Sequence, residues 1–347
     1  MGVVMKHIVR WIVIVAMVFA AFGLAAAPRD GIEVRLSMPN PVLHGDVDVT
    51  VTVTITNTTR HPVKLLRWQL PSEELEGALF NIERDGVAVT YTGPLIKRPA
   101  PGPDDQMRLD PGQSLNYQVE LTSAYDLSRN GRYTIEYLSR GAHGAQSATL
   151  RSEKLYLWLE GRSAKAKRPP PPPPPDGNIS YTGNCSASQQ TILQSAVVNA
   201  KDYSGSSTGY LGGLSFSTPR YAEWFGAYTP DRRATAYDHF VKLTDAFTTK
   251  PLTLDCKCKK PYYAYVYPVQ PYKIYLCRVF WSAPAIGTDS QAGTLIHEMS
   301  HFTVVAGTDD WAYGQVAART LADTYPDKAL DNADNHEYFA ENTPDLP

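Results

Sequence analysis

The chain reads as two domains: an all-β, immunoglobulin-like sandwich, then an α+β domain organised round one metal-binding helix. Three observations predict this. Residues 30 to about 160 hold about eight short runs of alternating apolar and polar residues, separated by turn signals. Seven consecutive prolines, Pro169 to Pro175, then interrupt the chain. Beyond them helical spacing takes over, and the sequence His297-Glu-Met-Ser-His301 appears.

Residues 1–27 read as a secretory signal peptide. Lys6 and Arg10 form the charged start, and the apolar stretch Trp11 to Ala27 closes in small residues, with cleavage expected near Ala25. An uncleaved membrane anchor is the alternative reading. The product is expected outside the cell, by way of the periplasm if the source is Gram-negative.

The β-domain spans 28–161. Val47 to Thr56 alternates over its whole length, as a half-buried strand does. Further strands are expected at Glu33–Leu36, Val63–Trp68, Leu79–Glu83, Val87–Tyr91, Leu115–Leu121, Arg132–Tyr137 and Leu155–Leu159, with turns at Asp85-Gly86 and Asn130-Gly131. His44, His61 and His143 are scattered and read as structural. The run Pro94 to Pro103 contains Lys97 and Arg98 and reads as a stiff, basic, exposed loop. Residues 162–178 form a linker. Its basic run Arg162 to Arg168 suits cleavage on maturation, and its prolines form a polyproline II rod of roughly 20 Å. A plain spacer is the simpler alternative.

In the second domain, 179–347, helices are expected at Ser186–Tyr203, Ala222–Tyr228, Arg233–Phe247, Tyr313–Leu321 and Asp334–Glu341. The tyrosine-rich stretch Leu252–Trp281 is strand-like. A sheet edge beside the metal helix would hold an extended peptide by main-chain pairing.

The chain carries 33 Lys and Arg against 35 Asp and Glu, a net charge of −2, which argues against nucleic-acid binding. Acid is concentrated late, since Arg319 and Lys328 are the sole bases between Asp309 and Asp345. Such a stretch is either a solvated acidic face or a pocket for a cationic side chain. The four cysteines, Cys185, Cys256, Cys258 and Cys277, read as two disulfides in an exported protein, with three connectivities open.

His297 and His301 lie four apart and so share one helix face, with Glu298 between them. Two imidazoles can hold zinc, and the glutamate can take a proton from its water. A catalytic site needs a third protein ligand, and Asp309 and Asp310 lie just downstream. Val304 and Gly307 exclude the metzincin continuation. A gluzincin-style alternative would use Glu337 or Glu341.

His297-Glu-Met-Ser-His301, Gly307-Thr-Asp-Asp310 and Trp311-Ala-Tyr-Gly314 together resemble the aspzincin (deuterolysin) family of zinc metalloendopeptidases, and within it the peptidyl-lysine enzymes and their secreted bacterial relatives. Thr218 to Gly226, Ala264 to Pro268, Gly287 to Thr294 and Asn332 to Asn342 extend the likeness over Tyr181–Pro347. It implies a zincin-type fold and one Zn2+ held by His297, His301 and Asp310. It implies Glu298 as general base on zinc-bound water and Tyr313 as a donor to the oxyanion. Asp334 and Glu337 would line the pocket for the residue after the scissile bond, giving cleavage before lysine, with arginine admissible. It also implies the pairs Cys185–Cys256 and Cys258–Cys277. Partners are then protein or peptide substrates and the enzyme's own propeptide, as inhibitor or folding aid, in a monomer with no stable membrane partner. Lys97 or Arg98 could fill the acidic pocket before maturation. The competing class is a non-catalytic secreted binding protein or adhesin with an immunoglobulin-like module.

Overall fold

The computed structural model describes residues 31–72, 74–139, 149–163 and 179–347. The expected signal peptide, the linker from residue 164 and His143 lie outside the described residues. Among those described, no helix is long and apolar enough to cross a membrane.

The N-terminal region is β-rich. Strands β1 (Ile32–Ser37), β3 (Thr50–Asn57) and β9 (Ser114–Glu120) form one antiparallel sheet in the order β1-β3-β9. A second sheet runs β2 (Val42–His44), β12 (Leu155–Glu160), β10 (Gly131–Ser139), β5 (Phe80–Arg84), β6 (Val87–Ala88), with β11 (Leu150–Arg151) beside β10. Strands β4 (Val63–Leu66) and β8 (Gln106–Leu109) pair separately. In β3, every second side chain is buried, namely Val51, Val53, Ile55 and Asn57, as the alternation requires. Val51, Val53 and Ile55 meet Ile82, Tyr133, Ile135, Leu157 and Leu159 of the other sheet in one core. Asp85 and Gly86 both adopt positive φ, 50° and 82°, and close the two-residue hairpin between Arg84 and Val87.

The C-terminal region packs helices against a sheet. Its elements are β13 (Ile179–Thr182), α1 (Ala187–Gly213), α2 (Pro219–Phe225), α3 (Pro230–Thr249), β14 (Leu252–Asp255), β15 (Ala264–Val266), β16 (Lys273–Leu276), α4 (Gln291–Ser300), α5 (Gln315–Thr324), α6 (Pro326–Ala329) and α7 (Ala333–Glu341). Ser186, Thr218, Thr229 and Ser290 each accept a main-chain N–H from the first turn of α1, α2, α3 and α4. Helix α1 runs ten residues past the expected end at Tyr203. Its second half, Ser204 to Gly213, is poor in helix formers, and packing of Ser204, Ser207 and Leu211 in the core overrides that weak propensity. Helix α5 begins at Gln315 rather than at Tyr313, which leaves Tyr313 in the segment before it.

Strands β13, β14 and β16 are parallel, and β15 runs antiparallel to β16. The fifth strand of this sheet, β7 (Leu95–Lys97), comes from the other region. It pairs antiparallel with β15, Lys97 opposite Ala264 and Leu95 opposite Val266. The expectation of an exposed loop at Pro94–Pro103 is therefore corrected. Leu95, Ile96 and Lys97 are buried, because the free edge of β15 offers them main-chain partners and a cleft to fill.

Two disulfides, Cys185–Cys256 and Cys258–Cys277, tie the start of α1 to the end of β14 and the following loop to the end of β16.

Candidate active site

Helix α4 is buried along its whole length. Its apolar face, Leu295, Ile296 and Met299, enters the main core with Phe302. Its opposite face turns His297 and His301 towards each other, with their Nε2 atoms 3.1 Å apart. Gly307, at φ 66°, reverses the chain after the helix and returns Asp310 to these rings. Asp310 Oδ1 lies 3.2 Å from His297 Nε2 and 3.4 Å from His301 Nε2. Asp309 turns elsewhere: its Oδ1 accepts the Asp310 N–H at 2.9 Å, and its main chain bridges to Asn332.

These three donors fit a metal. Ligands about 2.0–2.1 Å from a tetrahedral zinc stand roughly 3.3 Å from one another, close to the three separations found. The converging atoms are one carboxylate oxygen and two imidazole nitrogens, and Asp310 Oδ1 is buried with no hydrogen-bond partner. Burial alone would raise the Asp310 carboxyl, but the two histidines outweigh it and hold the group ionised. The outer nitrogens are also engaged. His301 Nδ1 donates to the Thr308 carbonyl at 2.8 Å, and Thr308 Oγ1 pairs with Ser300 Oγ at 2.6 Å. His297 Nδ1 lies 2.8 Å from Asp334 Oδ1. Such partners fix ring orientation and strengthen the ligand.

Glu298 is fully buried, and that burial pushes its carboxyl up to about 7. Its Oε1 accepts the main-chain N–H of Lys97 at 3.3 Å, and Asp310 Oδ2 accepts that of Ile96 at 3.2 Å. Tyr313 packs edge-on against Trp68, centroids 5.9 Å apart. Burial, reinforced by Asp310, keeps its phenol protonated and able to donate.

Asp334 and Glu337 share a face of α7, one turn apart. Between them and α4 sits the Lys97 side chain, 1% exposed. Its Nζ is 2.5 Å from Glu337 Oε2, 3.6 Å from Asp334 Oδ1 and 3.5 Å from Asp289 Oδ1, and 4.9 Å from the centre of the Tyr263 ring. Burial favours a neutral amine, but the three carboxylates prevail and hold the ammonium charged well above its ordinary range. Arg98 does not enter this pocket. Its guanidinium pairs with Glu76 Oε2 at 3.2 Å and lies over the Tyr262 ring at 4.6 Å, because side chains alternate along a strand. Glu337 faces His297 Nδ1 at 3.5 Å rather than the Nε2 side where Asp310 lies.

Three residues have roles that the sequence reading did not give them; Glu341, weighed there as a zinc ligand, is one. Asp289 adds a carboxylate at the pocket mouth, held by the Tyr338 hydroxyl at 2.7 Å. Glu341 accepts from the Ser290 N–H and hydroxyl, at 2.8 and 2.7 Å, and so anchors the start of α4. Gly293 lets α4 and α7 approach, since a Cβ there would lie 2.0 Å from Glu341 Oε1. Glu341 follows Glu337 by four residues and so lies on the same helix face, which was a usable signal. Asp289 carried none.

A fully buried pair of histidines, a converging aspartate and a glutamate beside them form a group that suits a zinc metallopeptidase. Comparison with known proteins gives the family. Residues 211–341 match the aspzincin family, described as lysine-specific metallo-endopeptidase. An extracellular protease of Aeromonas hydrophila is 46% identical over 336 residues, 93% of this chain and 96% of that protein. A peptidyl-Lys metalloendopeptidase of Grifola frondosa is 36% identical, over 96% of this chain and 98% of its own. A solved zinc peptidase from Grifola frondosa is 48% identical, covers 47% of this chain and 100% of its own, and has a TM-score of 0.46. The chain belongs to the aspzincin family; it is a zinc metalloendopeptidase that acts on proteins or peptides. The binding-module alternative is not favoured.

Proposed function

We propose that the chain is the latent precursor of a secreted endopeptidase that cleaves on the amino side of lysine. The observation that carries this reading is the Lys97 ammonium beside Glu337, Asp334 and Asp289, with the Lys97 N–H on Glu298 and the N–H of the preceding Ile96 on Asp310.

His297, His301 and Asp310 would hold the zinc. When bound, zinc lowers the pKa of a water to about 7 and polarises the peptide carbonyl. Glu298, raised to about 7 by burial, takes a proton from the attacking water and returns it to the leaving amine. Tyr313 donates to the developing oxyanion. Glu337 and Asp334 select an ammonium after the scissile bond, because an apolar side chain would leave two buried carboxylates without a counter-charge. Arginine is admissible on charge, and Asp289 at the mouth can meet its longer head.

The β-rich region, 28–161, is an immunoglobulin-like propeptide. Strand β7 covers the edge of β15 where a substrate would pair, and Lys97 plugs the pocket. The signal peptide 1–27 directs export, and cleavage in the 162–178 linker separates the regions to leave a monomeric enzyme. The relative named an extracellular protease supports the export reading.

A digest tests the proposal. The matured protein and its Glu298→Gln variant are incubated with a denatured substrate protein, and new N-termini are read by mass spectrometry. N-terminal lysines from the wild type alone are expected. Cuts at other residues would remove Asp334 and Glu337 as selectors.

A further inference from the structure

We infer that the propeptide is bound as a substrate in register, with Ile96–Lys97 at the scissile position, so that the enzyme cuts its own propeptide there. The inference rests on the lysine specificity proposed above. It goes beyond latency by assigning a second processing site, in the middle of strand β7 and well before the cut expected within the 162–178 linker.

The register is set by three contacts, of which a mere plug would need the first alone. The Lys97 side chain fills the pocket with its Nζ 2.5 Å from Glu337. The Lys97 N–H, which would become the leaving amine, points at Glu298 Oε1 at 3.3 Å, and Glu298 is the group that would protonate it. The strand is extended and antiparallel to β15, with the Tyr263 N–H donating to the Lys97 carbonyl at 3.0 Å. An inhibitory segment that avoided cleavage could keep its nitrogen away from the base. This one does not.

In the step itself, the hydroxyl of water joins the Ile96 carbonyl carbon and the bond to the Lys97 nitrogen breaks. The remaining proton passes through Glu298 to that nitrogen. The products are an Ile96 carboxylic acid and a Lys97 amine, which ionise to carboxylate and ammonium by passing one proton from acid to amine. Both ends then stay held. Leu95 and Ile96 are buried, and Arg98 is fastened to Glu76 and stacked on Tyr262 within the propeptide interface. Ends that cannot separate can rejoin, so release limits turnover and the precursor is a slow substrate rather than a permanently capped enzyme. Cutting the linker frees the propeptide to leave, and the nicked strand then docks too weakly to return.

The test follows the zinc-loaded full-length precursor by intact mass and by its new N-termini. A fragment beginning at Lys97 is expected, forming at a rate independent of protein concentration, since Lys97 and Glu298 belong to one chain. It should form on the order of 100-fold more slowly than cleavage of a free peptide of the same sequence. Glu298→Gln should abolish it, and Lys97→Ala should remove that N-terminus. A second readout uses metal-free Glu298→Gln precursor: hydrogen exchange should show the Tyr263 amide protected, and Lys97→Ala in that background should expose it. A precursor that matures at the linker and cuts denatured protein before lysine, yet leaves Ile96–Lys97 intact, overturns this inference and spares the lysine reading. An unprotected Tyr263 amide overturns the register directly. Failure to cut denatured protein before lysine removes the specificity reading and this inference with it.

Discussion

Two carboxylates one helical turn apart serve different neighbours. Glu337 touches the Lys97 ammonium at 2.5 Å, whereas Asp334 stands 2.8 Å from His297 Nδ1 and also accepts the Gly314 N–H at 2.6 Å. The two should therefore separate by mutation. Glu337→Gln is expected to raise KM for lysine substrates by about 10- to 100-fold with zinc content unchanged, as loss of one charged partner implies. Asp334→Asn is expected to weaken zinc binding by about 10- to 100-fold as well, because it removes the anion behind His297, a proposed zinc ligand. Metal content after dialysis, read beside KM, distinguishes them; equal effects would refute the division. Glu298→Gln should lower kcat by at least about 100-fold while zinc stays bound.

Helix α7 is buried from Ala333 to Glu341 although five of those nine residues are Asp, Asn, His or Glu. It can be so because each polar group has a task. His336 shows how. Its Nδ1–H donates to the Asn332 carbonyl at 2.9 Å, so its Nε2 accepts, at 2.9 Å, from His239 Nδ1–H on α3. Both rings are neutral, and a further proton would set N–H against N–H. Burial accordingly depresses His336 to about 3 and His239 to about 4. Folded-state values below the ordinary 6.5 mean that the unfolded chain takes up protons first. The stabilisation is complete above about pH 6.5 and is lost progressively as the pH falls towards 4. Urea midpoints measured from pH 7 to pH 4 should fall, and His336→Phe should flatten that slope even if it lowers the plateau. Gly293→Ala is a harsher change, because its Cβ would meet Glu341 and Glu337 where α4 crosses α7. About 1–3 kcal/mol of overpacking is expected in thermal or urea unfolding.

At the scale of the molecule, the two regions each have a core, yet they share one sheet through β7. On the latency proposed above, docking would depend on Lys97. Removing its charge strands Asp334 and Glu337 without their cation, a loss of about 3–5 kcal/mol in buried pairs. Lys97→Ala precursor should accordingly hydrolyse a short lysine peptide before any linker cleavage, which peptide turnover by unprocessed protein would reveal. Unchanged latency would show that β-pairing alone holds the cleft shut. Chelation should abolish hydrolysis and leave the circular dichroism of the protein largely unchanged, because α4 is anchored by the apolar core and Glu341 as well as by its histidines.

What was legible from sequence was local. The spacing of His297, Glu298 and His301 is a property of one helix, and alternation in β3 is a property of one strand, so both could be read without neighbours. Even Lys97 was a candidate, as a cation awaiting an acidic pocket. Its burial was not foreseeable, because exposure of the Pro94–Pro103 run depends on whether a distant edge strand is free to pair. Nor could the acids after Asp309 be divided between solvent and pocket, since a solvated face and a buried, satisfied one have the same composition. The extension of α1, the third carboxylate at Asp289 and the different partners of Asp334 and Glu337 were decided by packing between elements far apart in the chain. The sequence by itself determined which groups are the candidates to bind a metal and activate water. Only the tertiary structure decided which lysine stands in the cleft and which way its peptide runs, because those depend on long-range pairing and burial rather than on local spacing.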